Sequence, residues 1–225
     1  MTDLQVGEEG VTPQSELEPR LLARWLSRLA RAEPEIPGLK RSGLSGVRFP
    51  FRDREILLHG GRLMGDPTAV FSREEYANLP VYGRVVVDVG SSIGDSPLYF
   101  WLQGASKVLA FESNPFAWGL MVWNLKANHA SSIEAILSRV RNLNFAVSLD
   151  AHSVLKMDCE GAEYGILGSS KGEAIRRFEH VVMEYHFGPD RIVRILNSNG
   201  FIVETQRPRR GPFGMRLGNI WARRA

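Results

Sequence analysis

Residues 85–100 read VVVDVGSSIGDSPLYF, and the reading of that stretch decides the fold. Val85 to Val89 is a β-branched run of the kind found in strands buried on both faces. Gly90 and Gly94 then bracket two serines, and Gly94 to Gln103 continues with helical periodicity. Strand, glycine turn and helix in that order begin a βαβ unit, and in sheets built from such units a ligand lies beyond the carboxyl ends of the strands.

The alternation continues downstream. Strands are expected at Lys107 to Phe111, Asn144 to Ser148, Ser153 to Cys159, His180 to Tyr185, Phe201 to Arg207 and Met215 to Arg223. Helices are expected at Pro115 to Asn128, Ser132 to Arg141, Ala162 to Phe178 with a break near Gly168, and Asp190 to Asn199. The pattern predicts an α/β fold with a doubly wound, Rossmann-like, mostly parallel sheet, whose last two strands form an antiparallel pair across a Pro/Gly/Arg turn. Upstream, Leu17, Leu21, Leu22, Trp25, Leu26 and Leu29 mark one face of a helix over Glu16 to Ala32, and Arg48 to His59 alternates weakly around a charged turn, as a short hairpin or an extended lead-in would. The chain therefore divides into an N-terminal extension, 1–80, and a ligand-binding domain, 81–225.

A length of 225 residues with 44% apolar and 24% charged side chains fits one sizeable globular domain. The longest apolar run, Phe116 to Trp123, is eight residues, far short of the ~20 a membrane-spanning helix needs. Cys159 is the only cysteine, which excludes an intrachain disulfide framework and a Cys-based zinc cluster within one chain. The first 20 residues carry five carboxylates and one Arg, unlike a secretory or mitochondrial leader, so a cytoplasmic location is expected. Six Arg and no acid fall within Thr205 to Ala225, a basic end that reads first as a solvated face and second as a contact for an anionic partner such as nucleic acid.

The loop chemistry narrows the ligand. Glu112 ends the next strand, KVLAFESNP, about 20 residues after the glycines, where an acid accepts hydrogen bonds from ribose hydroxyls. The loop is GxxxG and lacks the third glycine of the GxGxxG dinucleotide fingerprint. Asp88, just upstream, suits the ammonium of an amino-acid moiety, directly or through water, better than a pyrophosphate. S-adenosylmethionine has that ammonium and no phosphate. The bland alternative is a simple turn beside a solvated Glu112.

VVVDVGSSIGDSPLYF, VLAFESNP with the downstream NLKAN, and VLKMDCEGAEYGIL followed by VVMEYH together resemble the FkbM-type S-adenosylmethionine-dependent methyltransferases from Val70 to Val203. The resemblance implies a class I methyltransferase fold, S-adenosylmethionine across the strand ends, and methylation of a hydroxyl on a small molecule or glycan. It implies Asp88, Gly90, Ser92 and Gly94 at the methionine end, Glu112 on the ribose and Ser113 and Asn114 beside the adenine; Ser91 and Asp95 complete the candidate cofactor-binding set. In the family the stretch before the acid-rich motif is usually longer and supplies a further strand, whereas here His129 to His152 is all there is. Two alternatives stay open: an RNA methyltransferase, for which the Arg-rich end is the evidence, and a non-catalytic binding protein on a trimmed fold.

A hydroxyl acceptor must lose its proton. LKMDCEGAEY offers Asp158, Glu160 and Glu163, and VVMEYHF offers Glu184 and His186 two residues apart, on one side of a strand. His186 is the expected general base near neutral pH, with Asp158 and Glu184 completing the catalytic group. Alternatively these three ligate a divalent cation. Glu163 is expected to favour the start of the next helix.

Overall fold

The computed structural model describes residues 36–42, 46–60, 65–211 and 214–225; the helix expected over Glu16 to Ala32 lies outside them. The described chain begins with a small antiparallel sheet, β1 (Lys40–Ser42), β2 (Gly46–Phe51) and β3 (Arg54–Leu58), so the expected hairpin forms. A π-helical turn, Thr68–Ser72, leads into the main sheet. There β4 (Val85–Val89), β5 (Lys107–Glu112), β6 (Ile133–Leu137), β7 (Ser153–Met157) and β8 (Phe178–Tyr185) run parallel in the order β6-β5-β4-β7-β8. β9 (Phe201–Thr205) and β10 (Arg209–Arg210) both pair antiparallel with β11 (Arg216–Arg224), which lies antiparallel to β8.

Period-two alternation builds a core on each face of this sheet. Val86, Val108, Ala110, Val154 and Val182 face α1 (Asp95–Leu102) and α2 (Pro115–Ala127), and through them the apolar side of the small sheet, Val47, Phe49, Ile56 and Leu58. Val87, Val89, Leu155, Met157, Val181 and Met183 face α3 (Glu163–Ser169), α4 (Gly172–Ile175) and α5 (Asp190–Ser198). The small sheet thus shares a hydrophobic cluster with the main one. Among the described residues no helix is long and apolar enough to cross a membrane.

Two expected elements differ. Ser132 to Arg141 is not a helix: Ile133–Leu137 is β6, in parallel register with β5. Its sequence, IEAIL, spaces its apolar residues for either period, and the open edge of β5 decides. Asn144–Ser148 is a 3₁₀ turn and not a strand. Side chains fasten it to the connection between α3 and α4: Leu143 N donates to Ser170 Oγ at 2.8 Å, and Lys171 N to Asn144 Oδ1 at 2.8 Å. The short stretch from His129 to His152 therefore does supply a strand next to β5.

The NLKAN segment has a structural role that its sequence did not announce. Asn124 and Asn128 lie one turn apart on and just beyond α2 and act as a substitute strand for the open edge of β3. Asn124 Oδ1 accepts from His59 N at 2.7 Å, and its Nδ2 donates to the carbonyls of His59 at 3.0 Å and Ile93 at 2.8 Å. Asn128 repeats the exchange with Leu57, accepting at 3.0 Å and donating at 2.7 Å. Because Asn124 is fully buried, Asn124→Ala strands three backbone groups away from water. That change is expected to cost about 2–4 kcal/mol in urea unfolding, whereas an exposed helix position such as Lys126→Ala should shift stability by less than about 0.5 kcal/mol.

Candidate active site

The chain leaves β4 toward β5 and β6 on one side and returns to β7 and β8 on the other, so strand order reverses at the carboxyl end of β4. A cleft of about 1290 Å3 opens there, large enough for a nucleoside-sized ligand together with a second molecule. Its wall includes Gly90, Ser92, Asp95, Glu112, Ser113 and Asn114 from the expected cofactor set, and Asp158 and Glu184 from the expected catalytic set. Asp88, Ser91, Gly94 and His186 are not part of that wall.

Asp88 requires a correction. It sits in register opposite Lys156 of β7, and both point to the face covered by α1. Asp88 is fully buried and Lys156 is 3% exposed; Lys156 Nζ lies 2.9 Å from Asp88 Oδ1, and the hydroxyl of Ser96 donates to Asp88 Oδ2 at 2.7 Å. The ammonium expected to come from a ligand is thus supplied by the chain itself. Lys156 also donates to the carbonyl of Gly90 at 2.8 Å, tying the glycine turn to β7. Burial works against its charge, but Asp88 and Asp158 outweigh burial and hold the amine above the ordinary lysine range. The signal was legible: a lysine inside the apolar strand VLKM needs a buried partner.

The turn itself is built on close approach. Gly90 has φ +83°, and a Cβ there would stand 1.8 Å from the carbonyl oxygen of Asp158. Ser91 is also corrected: its hydroxyl is buried and donates to the carbonyl of Asp88 at 3.0 Å, closing the turn and not facing a ligand. Gly94 caps α1 from beneath Met121. Glu112 organises the opposite lip, accepting from Ser92 N at 2.8 Å on one oxygen and from Ser113 N and Asn114 N, each at 2.7 Å, on the other. Asn114 in turn caps α2, accepting from Phe116 N and Ala117 N. Asp95 accepts from Asp66 N at 2.9 Å, and burial pushes its carboxyl up to about 6 against the pull of Lys156 and two backbone N–H groups.

On the acceptor side, burial raises Asp158, and burial followed by the nearby Asp158 charge raises Glu184. Arg209 donates to Glu184 Oε1 at 2.6 Å. His186 is 4% exposed and lies between two carboxylates, Nε2 3.5 Å from Glu160 and Nδ1 3.3 Å from Glu163. Glu160 and Glu163 push the imidazole up to about 10, against the effect of burial. Glu163 does begin α3, but it also receives the N–H groups of Cys159 at 3.0 Å and Gly161 at 3.2 Å. It fastens the strained turn in which Glu160 has φ +57°.

Glu75 and Tyr76 were missed altogether. They enter the wall from the segment after the π-helical turn, far from the motifs in sequence. Among the described residues the wall carries seven carboxylates, Asp66, Glu75, Asp95, Glu112, Asp158, Glu160 and Glu184, against three cations, Arg73, Arg139 and Lys156.

Residues 128–203 match the methyltransferase FkbM domain. The match runs from just before β6 into β9 and takes in Asp158, Glu184 and His186, about a third of the chain; the glycine loop lies upstream of the matched residues. Solved structures share the fold. TYW2 of M. jannaschii, crystallised with AdoMet, is 16% identical, with TM-score 0.58 over 83% of this chain and 90% of that one. The M. jannaschii tRNA m1G37 methyltransferase is 16% identical, with TM-score 0.54 over 83% of this chain and 59% of that one. EvdMO1 is 16% identical, with TM-score 0.55 over 95% of this chain and 50% of that one. No curated protein sequence matches the chain.

The Asp88–Lys156 pair under the cleft gives a sharp test. Lys156→Met leaves Asp88 charged and buried without its partner and is expected to lower stability by about 3–5 kcal/mol in urea unfolding. Adding Asp88→Asn to Lys156→Met should recover part of the loss, because the uncompensated charge is then gone.

Proposed function

We propose that the chain transfers a methyl group from S-adenosylmethionine to a hydroxyl oxygen of a small molecule or glycan. The observation that carries this reading is the acid-rich cleft at the sheet's switch point, whose excess of carboxylates favours a ligand bearing sulfonium and ammonium charges over one bearing a pyrophosphate. The residues present fit such a cofactor. Glu112 Oε2 keeps an acceptor position after receiving Ser92 N, and it faces the cleft where ribose hydroxyls would be held. With Asp88 neutralised by Lys156, the ammonium falls to Asp95 and Glu75, which reach the cleft surface. When bound, the cofactor supplies an electrophilic methyl group on sulfur.

The chain's own contribution is alignment and proton handling. Asp158 and Glu184 line the cleft from adjacent strand ends, and their raised affinity for protons suits them to receive the one an acceptor hydroxyl must give up. His186, set behind them between Glu160 and Glu163, is a positioning group in this scheme.

An RNA acceptor is the second reading, and the placement of the arginines favours it. Arg209 and Arg210 pair with the start of β11 next to the end of β8, where Arg209 meets Glu184 and Arg216 N donates to the carbonyl of His186. Arg223 and Arg224 belong to the far end of β11, paired with Ile202 and Phe201. Arg209 thus reaches a carboxylate of the cleft wall, and Arg210 and Arg216 pair beside it.

Calorimetric titration with S-adenosylhomocysteine is expected to show one site per chain, and Glu112→Gln should weaken it about 10- to 100-fold by misplacing a donor among three N–H groups. Occupation of the cleft by NAD+ instead, or indifference to Glu112→Gln, would overturn the cofactor reading. For an RNA acceptor, binding should fall steeply with salt, and Arg210→Ala should lower the slope of log K against log[salt] by about 1. Salt-insensitive binding leaves the small-molecule reading in place.

A further inference from the structure

We propose that Asp158, Glu184 and His186 form a binding site for a first-row divalent cation beside the cleft. One ligating atom from each residue lies within 4.8 Å of the other two, although the three come from two different strand ends and no one segment forces them together. Two carboxylate oxygens and one imidazole nitrogen suit Mn2+ better than Mg2+, which prefers oxygen alone, and better than Ca2+, which needs more oxygens.

The histidine supplies an observation independent of the carboxylates. His186 is 4% exposed, yet its Nδ1 is buried without a hydrogen bond, 3.3 Å from Glu163, while Nε2 lies 3.5 Å from Glu160. A buried imidazole with unmet bonding capacity is costly unless something completes it. Glu163, fully buried and held by two backbone N–H groups, stands behind Nδ1 as the outer carboxylate of a carboxylate–histidine–metal arrangement would. Nε2 is then the nitrogen left for a cation. Glu160, on the strained turn, borders the same nitrogen.

Asp158 and Glu184 open onto the cleft while His186 closes the site from beneath. Three protein ligands on one side leave the remaining coordination positions toward the cleft, for water or for the oxygens of an acceptor such as a vicinal diol. The site stands on its own geometry; its role in holding an acceptor rests on the methyltransferase reading. Arg209, 2.6 Å from Glu184, competes with a cation for that carboxylate and gives the site a native opponent.

The test is titration of the full chain with MnCl2, following loss of the free Mn2+ signal by electron paramagnetic resonance. One saturable site per chain is expected, weakened at least tenfold by Asp158→Asn and by Glu184→Gln. Arg209→Ala should tighten it several-fold by releasing Glu184, a gain that misfolding cannot imitate. Absence of saturable Mn2+ binding, equal affinity in the two carboxylate variants, or no tightening in Arg209→Ala would overturn the proposal. Titrating the same preparations with S-adenosylhomocysteine separates the readings: a chain that binds it and ignores Mn2+ loses the cation site alone.

Discussion

The geometry of the cleft depends on a buried ion pair between neighbouring strands. Asp88 and Lys156 face each other across β4 and β7, out of water, and Lys156 also holds the carbonyl of Gly90. A charge so deeply buried is tolerated only with its partner in place, so the pair locks the relative register of the two strands on either side of the switch point. The glycine turn, and the contact of Gly90 with the end of β7, follow from that register. Asp88 is held by Lys156 and Ser96 beneath the cleft, while Asp95, Glu112, Asp158 and Glu184 line it.

Those acids are kept apart in role by their surroundings. Glu112 is saturated largely by backbone N–H groups and shapes the lip. Asp95 is buried enough to titrate near 6. Asp158 and Glu184 are pushed up by burial and turn toward the second half of the cleft. His186 is pushed up by Glu160 and Glu163. Carboxylates within a single crevice thus differ in proton affinity and in hydrogen bonding according to which groups solvate them.

Much of the fold was legible. The run Val85–Val89, the helix after Gly94 and the antiparallel β9–β11 pair follow from periodicity and turn residues. The misreadings, β6 taken for a helix and Asn144–Ser148 for a strand, are short segments whose spacing satisfies both periods or neither, so neighbours settled them: the open edge of β5 in one case, Ser170 and Lys171 in the other. Of the expected site residues, Gly90, Ser92, Asp95, Glu112, Ser113, Asn114, Asp158 and Glu184 reached the cleft, whereas Asp88 and Ser91 turned inward and Gly94 and His186 lie outside its wall. Glu75 and Tyr76 carry no local motif and arrive only through folding.

By itself the sequence determined the alternation of strand and helix, the glycine turn, and the acids that close each strand, because these depend on residues adjacent in the chain. Only the tertiary structure decided which acid meets Lys156, which meets His186, and which remain for a ligand. Pairing across strands is a matter of register and burial, and both are properties of the assembled sheet: the strand VLKM announces a buried lysine but not its partner.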